Sequence, residues 1–396
     1  MSPRLEQRQA SFPDGPAAAI VHPMHARDPE LGPIRPPSEA SSLLVRVTRN
    51  CPWNRCAFCP VYKGTRFSLR DADEVCADIR EMATIADRMR ARDAGAPGML
   101  AVAREDGRAV ALQVARFLAA GASTAFLQDA NSLIMPVADL ERVLRCLKES
   151  FPTVDRVTTY ARSHTITKRT VEELTRLRTA GLTRVHVGLE SGSDRVLALV
   201  DKGATSERHV TAGLRIKAAG LSLSEYVMPG LGGAKLSEEH ARETARVLRA
   251  IDPDFVRLRT LAVPGGSPLA DLVARGEIDP MDDLQIAREL QLLLEGMTGM
   301  TSEVRSDHVL NLLEEVEGSL PTDLPRMLAA VDQFLALDSD AREVFVVGRR
   351  LGLLRKLDEL QDPTASARAR AVTAELRQRW PGPIEGAVAE LMARFV

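Results

Sequence analysis

Cys51, Cys56 and Cys59 fall within nine residues, in Arg-Asn-Cys51-Pro-Trp-Asn-Arg-Cys56-Ala-Phe-Cys59-Pro. Thiolates favour soft metals, and three clustered thiols cannot all pair off as disulfides. The other two cysteines, Cys76 and Cys146, stand apart on helical-looking stretches and read as small buried hydrophobes. A structural zinc usually takes four ligands, commonly from two knuckles, and no second Cys-x2-Cys or Cys/His pair is present. A distant histidine could complete such a site, so zinc stays open on ligand count. An iron–sulfur cluster with one open iron uses the same three thiolates as they stand. His22 and His25, in His-Pro-Met-His, read as solvated loop histidines, because nothing around them supplies further ligands.

Other side chains suited to chemistry stand on β-rich runs. Alternation along Arg184–Leu189 puts His186, Gly188 and Glu190 on one face and Val185, Val187 and Leu189 on the other. Glu190 is therefore expected to face the inside of a barrel. In Phe255-Val-Arg257-Leu-Arg259-Thr-Leu261 two arginines alternate with apolar residues. Inside a barrel each needs an acidic partner or meets a carboxylate or phosphate of cofactor or substrate, so both are candidate substrate-binding residues. Arg162, in Tyr160-Ala-Arg-Ser-His164, is a similar candidate. Tyr160, Tyr226 and His186 are candidates to pass a hydrogen atom or simply to pack.

From 42 to about 270 the chain alternates strand-like and helix-like segments. The strands expected are Leu43–Val47, Thr124–Gln128, Arg156–Tyr160, Arg184–Leu189, Leu223–Met228 and Phe255–Leu261. Helices are expected over 71–92, 137–149, 167–180, 193–200, 206–219 and 237–250. This alternation requires a parallel sheet with right-handed crossovers. Six units are visible, so the fold expected is α/β, a partial (β/α)6 TIM-like barrel. The first crossover is unusually long, and 92–122 has room for an extra helix. Residues 1–41, rich in proline, alanine and charge, read as an extended arm; 42–280 form the barrel; 281–396 read as a helical C-terminal extension with helices at 282–296, 306–316, 323–336, 340–360, 364–379 and 383–395.

A strand followed by a three-cysteine loop, with Phe58 just before the last cysteine, resembles the opening of the radical S-adenosylmethionine (radical SAM) superfamily. The family spacing is Cys-x3-Cys-x2-Cys, whereas this chain has four residues between Cys51 and Cys56. Later segments are similar in order and strand context. Phe126-Leu-Gln-Asp-Ala-Asn131 stands where the family holds the methionyl amino group; the family's Gly-Gly-Glu is absent, so Gln128 and Asp129 correspond by position only. Val187-Gly-Leu-Glu190-Ser-Gly and the following Lys202-Gly resemble the cobalamin-type and methylthiotransferase-type members. The resemblance implies that Glu190 faces the SAM ribose or amino acid and that Lys202 pairs with its carboxylate. Tyr226-Val-Met228-Pro-Gly230 and Leu261-Ala-Val263-Pro-Gly resemble the adenine-facing segments of the fifth and sixth strands, and Phe58 would pack on the adenine side. Arg305-Ser-Asp-His308 is a fainter echo. Trp53, inside the cysteine loop, is expected to shield the cluster.

The same resemblance implies one [4Fe–4S] cluster on Cys51, Cys56 and Cys59, with SAM as second cofactor and Arg162 as a further cofactor contact. It also implies an external reductant such as flavodoxin or ferredoxin, and hydrogen abstraction from an organic substrate. Physical expectation agrees: ligands of parallel barrels sit at the C-terminal ends of the strands, and every segment named follows its strand. The contrasting reading is a non-catalytic barrel whose zinc or vestigial cluster serves structure or binding. Two spare cysteines cannot hold an auxiliary cluster, and the stretch before residue 42 is too short for a cobalamin domain. A formal charge of −2 and 4% aromatics offer little for stacking or attracting nucleic acid. A small or lipid-like substrate is the default expectation. The absence of a signal-like apolar segment and the free thiols point to the cytoplasm, and no apolar run is long enough to span a membrane.

Overall fold

A computed structural model describes residues 28–92, 95–380 and 382–393. His22 and His25 lie outside them. Eight strands form one sheet: β1 (Leu43–Arg46), β2 (Thr124–Gln128), β3 (Arg156–Ala161), β4 (Arg184–Glu190), β5 (Ser222–Val227), β6 (Phe255–Leu258), β7 (Glu303–Arg305) and β8 (Gly318–Ser319). Their order in the sheet is their order in the chain. Every pair from β1 to β7 is parallel, and β8 runs antiparallel to β7. The sheet stays open, with β1 and β8 as its edges. The expected six-unit α/β partial barrel is thus present, extended by two short strands.

Among the described residues, fifteen α-helices accompany the strands. Three fill the first crossover: α1 (Ala72–Ala91), α2 (Gly95–Asp106) and α3 (Ala109–Ala119), so the long connection carries two extra helices rather than one. The remaining crossovers use α4 (Val137–Ser150), α5 (Ser163–Ile166), α6 (Val171–Thr179), α7 (Asp194–Leu199), α8 (Ser206–Ala218) and α9 (Gly233–Ile251). After β6 come α10 (Pro268–Ala274), α11 (Asp283–Gly296), α12 (Leu324–Ala336), α13 (Ser339–Arg350), α14 (Pro363–Arg379) and α15 (Ile384–Ala393). No helix among the described residues is long and apolar enough to cross a membrane.

The period of the strands sorts their side chains. Leu43, Val45, Ala125, Leu127, Val157, Val185, Val187, Leu223 and Val256 face outward and merge with the helices in one apolar core. Phe126, Tyr160, His186 and Tyr226 point inward, where their rings pack edge-on or tilted at centroid distances of 5.2 Å (Phe126–Tyr160), 5.7 Å (Tyr160–His186) and 5.6 Å (His186–Tyr226). Below them a 3-10 turn, Pro37–Glu39, closes the floor. Glu39 there binds Ser42, lies 3.2 Å from Arg156 and 3.9 Å from His186 Nε2.

Three expectations fail beyond residue 280. The chain there is not helical throughout, because Glu303–Arg305 adds to β6 as β7. A three-residue strand with one apolar position between charges carries no readable alternation. Residues 306–316 form turns instead of the expected helix. The carbonyls a helix would use internally are taken elsewhere: Arg349 donates to Asn311 and Leu312, and Arg350 to Leu310. The expected helix over 340–360 stops at Arg350, and Gly352 at φ +69° turns the chain away. At the sixth strand, regular strand geometry ends at Leu258 rather than Leu261: the Thr260 N–H turns to the Asn311 side chain at 2.9 Å, while the Arg259 and Leu261 N–H groups still donate to Val227 and Pro229.

Candidate functional site

The cysteine loop is pinched off where Thr48–Arg49 pairs antiparallel with Ser68–Leu69, just past the C-terminal end of β1. Within it Asn54 adopts φ +48°, a left-handed conformation that asparagine tolerates better than most residues. Its amide donates to the carbonyls of Tyr62 and Thr65, and Lys63 Nζ donates to its carbonyl at 2.9 Å. The Cys59 N–H donates to the Cys56 carbonyl at 3.3 Å. All three thiols are free and half-buried. Burial pushes the Cys56 thiol up, opposed by the charges of Lys202 and Arg162. Cys59 is also raised by burial, against a hydrogen bond from the Val61 backbone and the Lys202 and Lys63 charges. Among the described residues no three His, Cys, Asp or Glu side chains close around a single ion.

Glu190 ends β4 at φ +62°, with a register shift between Gly188 and Glu190. Strict alternation therefore breaks at this residue, yet its carboxylate folds back over Gly188. A Cβ on Gly188 would stand 2.2 Å from Glu190 Oε1 and 2.9 Å from Lys202 Nζ. Lys202 Nζ donates to Glu190 Oε1 at 2.9 Å and lies 5.4 Å from the centre of the Phe58 ring. Burial pulls the Lys202 ammonium down, but Glu190 and the Cys56 thiol outweigh it and the group ends above its ordinary value.

Trp53 docks on the turn that carries Lys202. Its Nε1 donates to the Asp201 carbonyl at 2.7 Å, and a Cβ on Gly203 would stand 2.4 Å from the ring, so only glycine fits. The guanidiniums of Arg55 and Arg162 lie 4.9 Å and 5.0 Å from its ring centre, within cation–π range. Arg162 also donates to the Lys202 carbonyl at 2.7 Å, while burial lowers its pKa. Phe58, Met228 and Val263 join one small apolar cluster with Ala57 and Leu261. The structure thus gathers Cys51, Cys56, Cys59, Phe58, Arg162, Glu190, Lys202, Met228 and Val263 at one mouth.

Other expected site residues are placed differently. Gln128 is not open to a ligand: its amide accepts from the Gly32 N–H at 2.9 Å and donates to the Ile34 carbonyl at 2.6 Å. Asp129 is likewise committed, to Arg46 at 2.8 Å and to the Asn50 N–H at 2.7 Å. Burial holds its carboxyl above the ordinary range despite those donors. Segment 30–34 occupies this position, and nothing in its composition announces that; a Cβ on Gly32 would stand 1.9 Å from Asp129 Oδ1. Arg257 forms an ion pair with Asp307 at 2.8 Å, so its charge is spent within the protein. Arg259 is half-buried at the mouth, and no hydrogen bond or ion pair engages its guanidinium among the described residues. His186 is fully buried in the lumen and is pushed down to about 4 by burial. Tyr160 and Tyr226 sit above it, and burial raises both phenols. Cys76 and Cys146 are buried between α1 and α4, away from the mouth. Arg46, Asn50 and Asn54 were missed; the only trace of them in the sequence is a pair of asparagines flanking the first cysteine.

A parallel partial barrel with a thiol loop and an ion-paired lysine at its C-terminal mouth defines a class of cofactor-dependent barrel proteins. Residues 103–248 match the family model described as the radical SAM superfamily. The superfamily binds SAM and a [4Fe–4S] cluster. The cysteine loop lies upstream of the matched residues. Among curated proteins, a tRNA uridine(34) acetyltransferase of Methanocaldococcus infernus is 29% identical over 111 residues, 28% of this chain and 21% of that protein. Its counterpart in Methanocaldococcus jannaschii is 28% identical over 111 residues, 28% of this chain and 20% of that protein. The chain therefore spans about a fifth of the length of these relatives. Solved structures that are similar include the radical SAM methyltransferase TsrM from Kitasatospora setae, at 17% identity and TM-score 0.41 over 63% of this chain and 37% of that one. Methylornithine synthase is similar at 15% identity and TM-score 0.41, over 72% of this chain and 68% of that one.

Proposed function

We propose that the chain is a radical SAM enzyme whose Cys51, Cys56 and Cys59 hold one [4Fe–4S] cluster and whose Glu190, Lys202 and Arg162 orient SAM. The observation that carries this reading is the Glu190–Lys202 pair set over Phe58, directly against the cysteine loop. The donor set fits the cluster: three soft thiolates match a [4Fe–4S] cluster that leaves one iron open, whereas a structural zinc usually takes four ligands. When bound on Cys51, Cys56 and Cys59, a cluster would supply the electron for reductive cleavage of SAM, the chemistry that would lead to hydrogen abstraction from an organic substrate. The protein's part is orientation and shielding. Lys202 offers an ammonium for the SAM carboxylate, Glu190 an acceptor for hydroxyl or ammonium groups, and Phe58, Met228 and Val263 an apolar bed for the adenine. Trp53 covers the loop from solvent. Tyr160 and Tyr226 stand in the lumen where a hydrogen donor to a substrate radical would be needed.

The reductant is an external protein such as flavodoxin or ferredoxin, and the substrate a small or lipid-like metabolite. We keep nucleic acid outside this reading, because the match to tRNA-acting relatives covers little of either chain. A barrel over 42–280 and an extension over 281–396 remain our division of the chain, with β7 and β8 assigned to the sheet; most of the expected arm over 1–41 lies outside the described residues.

Anaerobic reconstitution tests the proposal. The expected product is a brown protein with about four irons that releases 5′-deoxyadenosine from SAM on reduction. Cys56→Ala is expected to lose both iron and cleavage. A colourless zinc protein inert to SAM would support the non-catalytic reading and end this one. A gel-shift with bulk tRNA tests the exclusion of nucleic acid.

A further inference from the structure

Beside the mouth lies a cleft of about 400 Å³, between the end of the sixth strand (Leu261, Val263), the start of α11 (Ile286), α13 (Val346) and α15 (Ile384, Val388). That volume falls in the range of small-molecule pockets. Leu261 and Val263 also belong to the apolar cluster that contains Phe58 and Met228, so one wall of the cleft is shared with the proposed cofactor bed. Three acidic groups on its rim are occupied, Asp283 by Arg350, Glu343 by Arg377 and Asp282 by the Gln285 N–H, and Glu385 is the fourth. What the cleft offers a ligand is therefore mainly hydrocarbon surface.

The nearest unengaged cation on the same strand is Arg259. Backbone pairing with the neighbouring strand continues past β6: the Arg259 N–H donates to Val227 and the Leu261 N–H to Pro229, both at 2.9 Å. The chain stays extended, so Arg259 and Leu261 share a face roughly 7 Å apart. Arg257, two residues earlier, shows what a structural arginine looks like here, because Asp307 neutralises it. Among the described residues Arg259 has no such partner, and none of its nitrogens is buried and orphaned, so its donors stay open to a ligand anion.

From this we infer that the substrate is an amphiphile, whose carboxylate or phosphate meets Arg259 and whose hydrocarbon chain lies in the cleft along Leu261, Val263 and Val388. The inference rests on the proposed chemistry at the mouth and adds the substrate class. Arg259 supplies a planar pair of donors for the anion, and the cleft selects for chain length.

Calorimetric titration of the full, cluster-loaded chain with laurate, octanoate and dodecanol tests it. Laurate is expected to bind once per chain, and octanoate at least about tenfold more weakly for its missing methylenes. Arg259→Gln is expected to weaken laurate about tenfold and leave dodecanol unchanged; Val388→Trp is expected to weaken both. Melting curves check that the variants fold, and Ile384→Trp is a second way to fill the cleft. No saturable laurate binding, binding indifferent to chain length, or laurate binding unaltered in Arg259→Gln would each overturn the inference. Release of 5′-deoxyadenosine is followed separately. Cleavage without laurate binding removes the substrate class alone; laurate binding without cleavage removes the proposed chemistry alone.

Discussion

At the residue scale, the site depends on how little room Gly188 leaves. Its missing side chain is the space into which Glu190 and Lys202 fold. Gly188→Ala is expected to push the pair apart and lower SAM affinity about tenfold or more, with the melting temperature little changed; equilibrium dialysis against SAM and a thermal melt read the two effects. The sequence made part of this legible, since alternation put Glu190 toward the lumen and the family resemblance singled out Lys202, but the pairing of the two was not foreseen. The backward turn at Glu190 was not legible, because a register shift has no residue signature of its own. Gln128 and Asp129 illustrate a second limit. Their position at the end of β2 was read correctly, but position does not reveal that Gly32, Ile34, Arg46 and Asn50 use their polar atoms. Those partners lie on an arm and a loop without periodicity.

At the element scale, the segment 306–316 exchanges helical hydrogen bonds for tertiary ones, and Asn311 is the hinge of the exchange. Its side chain accepts from Thr260 N–H and donates to the Leu258 carbonyl at 2.8 Å, ending β6 and holding the turn against it. Asn311→Ala is expected to cost about 2–3 kcal/mol, because it strands two buried backbone groups. The shift in the urea midpoint measures it, and a loss under about 0.5 kcal/mol, the scale of an ordinary surface change, would show that water replaces the amide. Helix-like apolar spacing in this segment was real; it is spent on packing Leu310, Leu312 and Leu313 inward from turns. Local pattern reads which residues go inside, and it does not read which backbone partner wins.

At the scale of the whole molecule, buried histidines make the fold sensitive to acid. Burial pushes His186 down to about 4 and His209 down to about 3, so both stay neutral when folded. Unfolded, each binds a proton near pH 6.5, so the unfolded chain holds more protons between that pH and the folded value. Stability is therefore complete above pH 6.5 and falls as the pH drops toward 4, by roughly 1.4 kcal/mol per pH unit for each histidine. Denaturation midpoints at pH 7 and pH 5 measure the slope, and His209→Leu is expected to flatten it by one histidine's share. A slope unchanged by that substitution would assign the acid sensitivity to other groups.

The arm around Glu30 to Glu39 runs from the mouth, where Gly32 and Ile34 bind Gln128, to the floor, where Glu39 meets Arg156 and His186. It is made before all of these partners. During synthesis on a ribosome its inner contacts cannot all form until β4 has emerged, well over a hundred residues later, so this segment must wait for partners translated after it. Ribosome-bound chains halted before β4 should leave the arm open to protease, and chains halted after β7 should protect it.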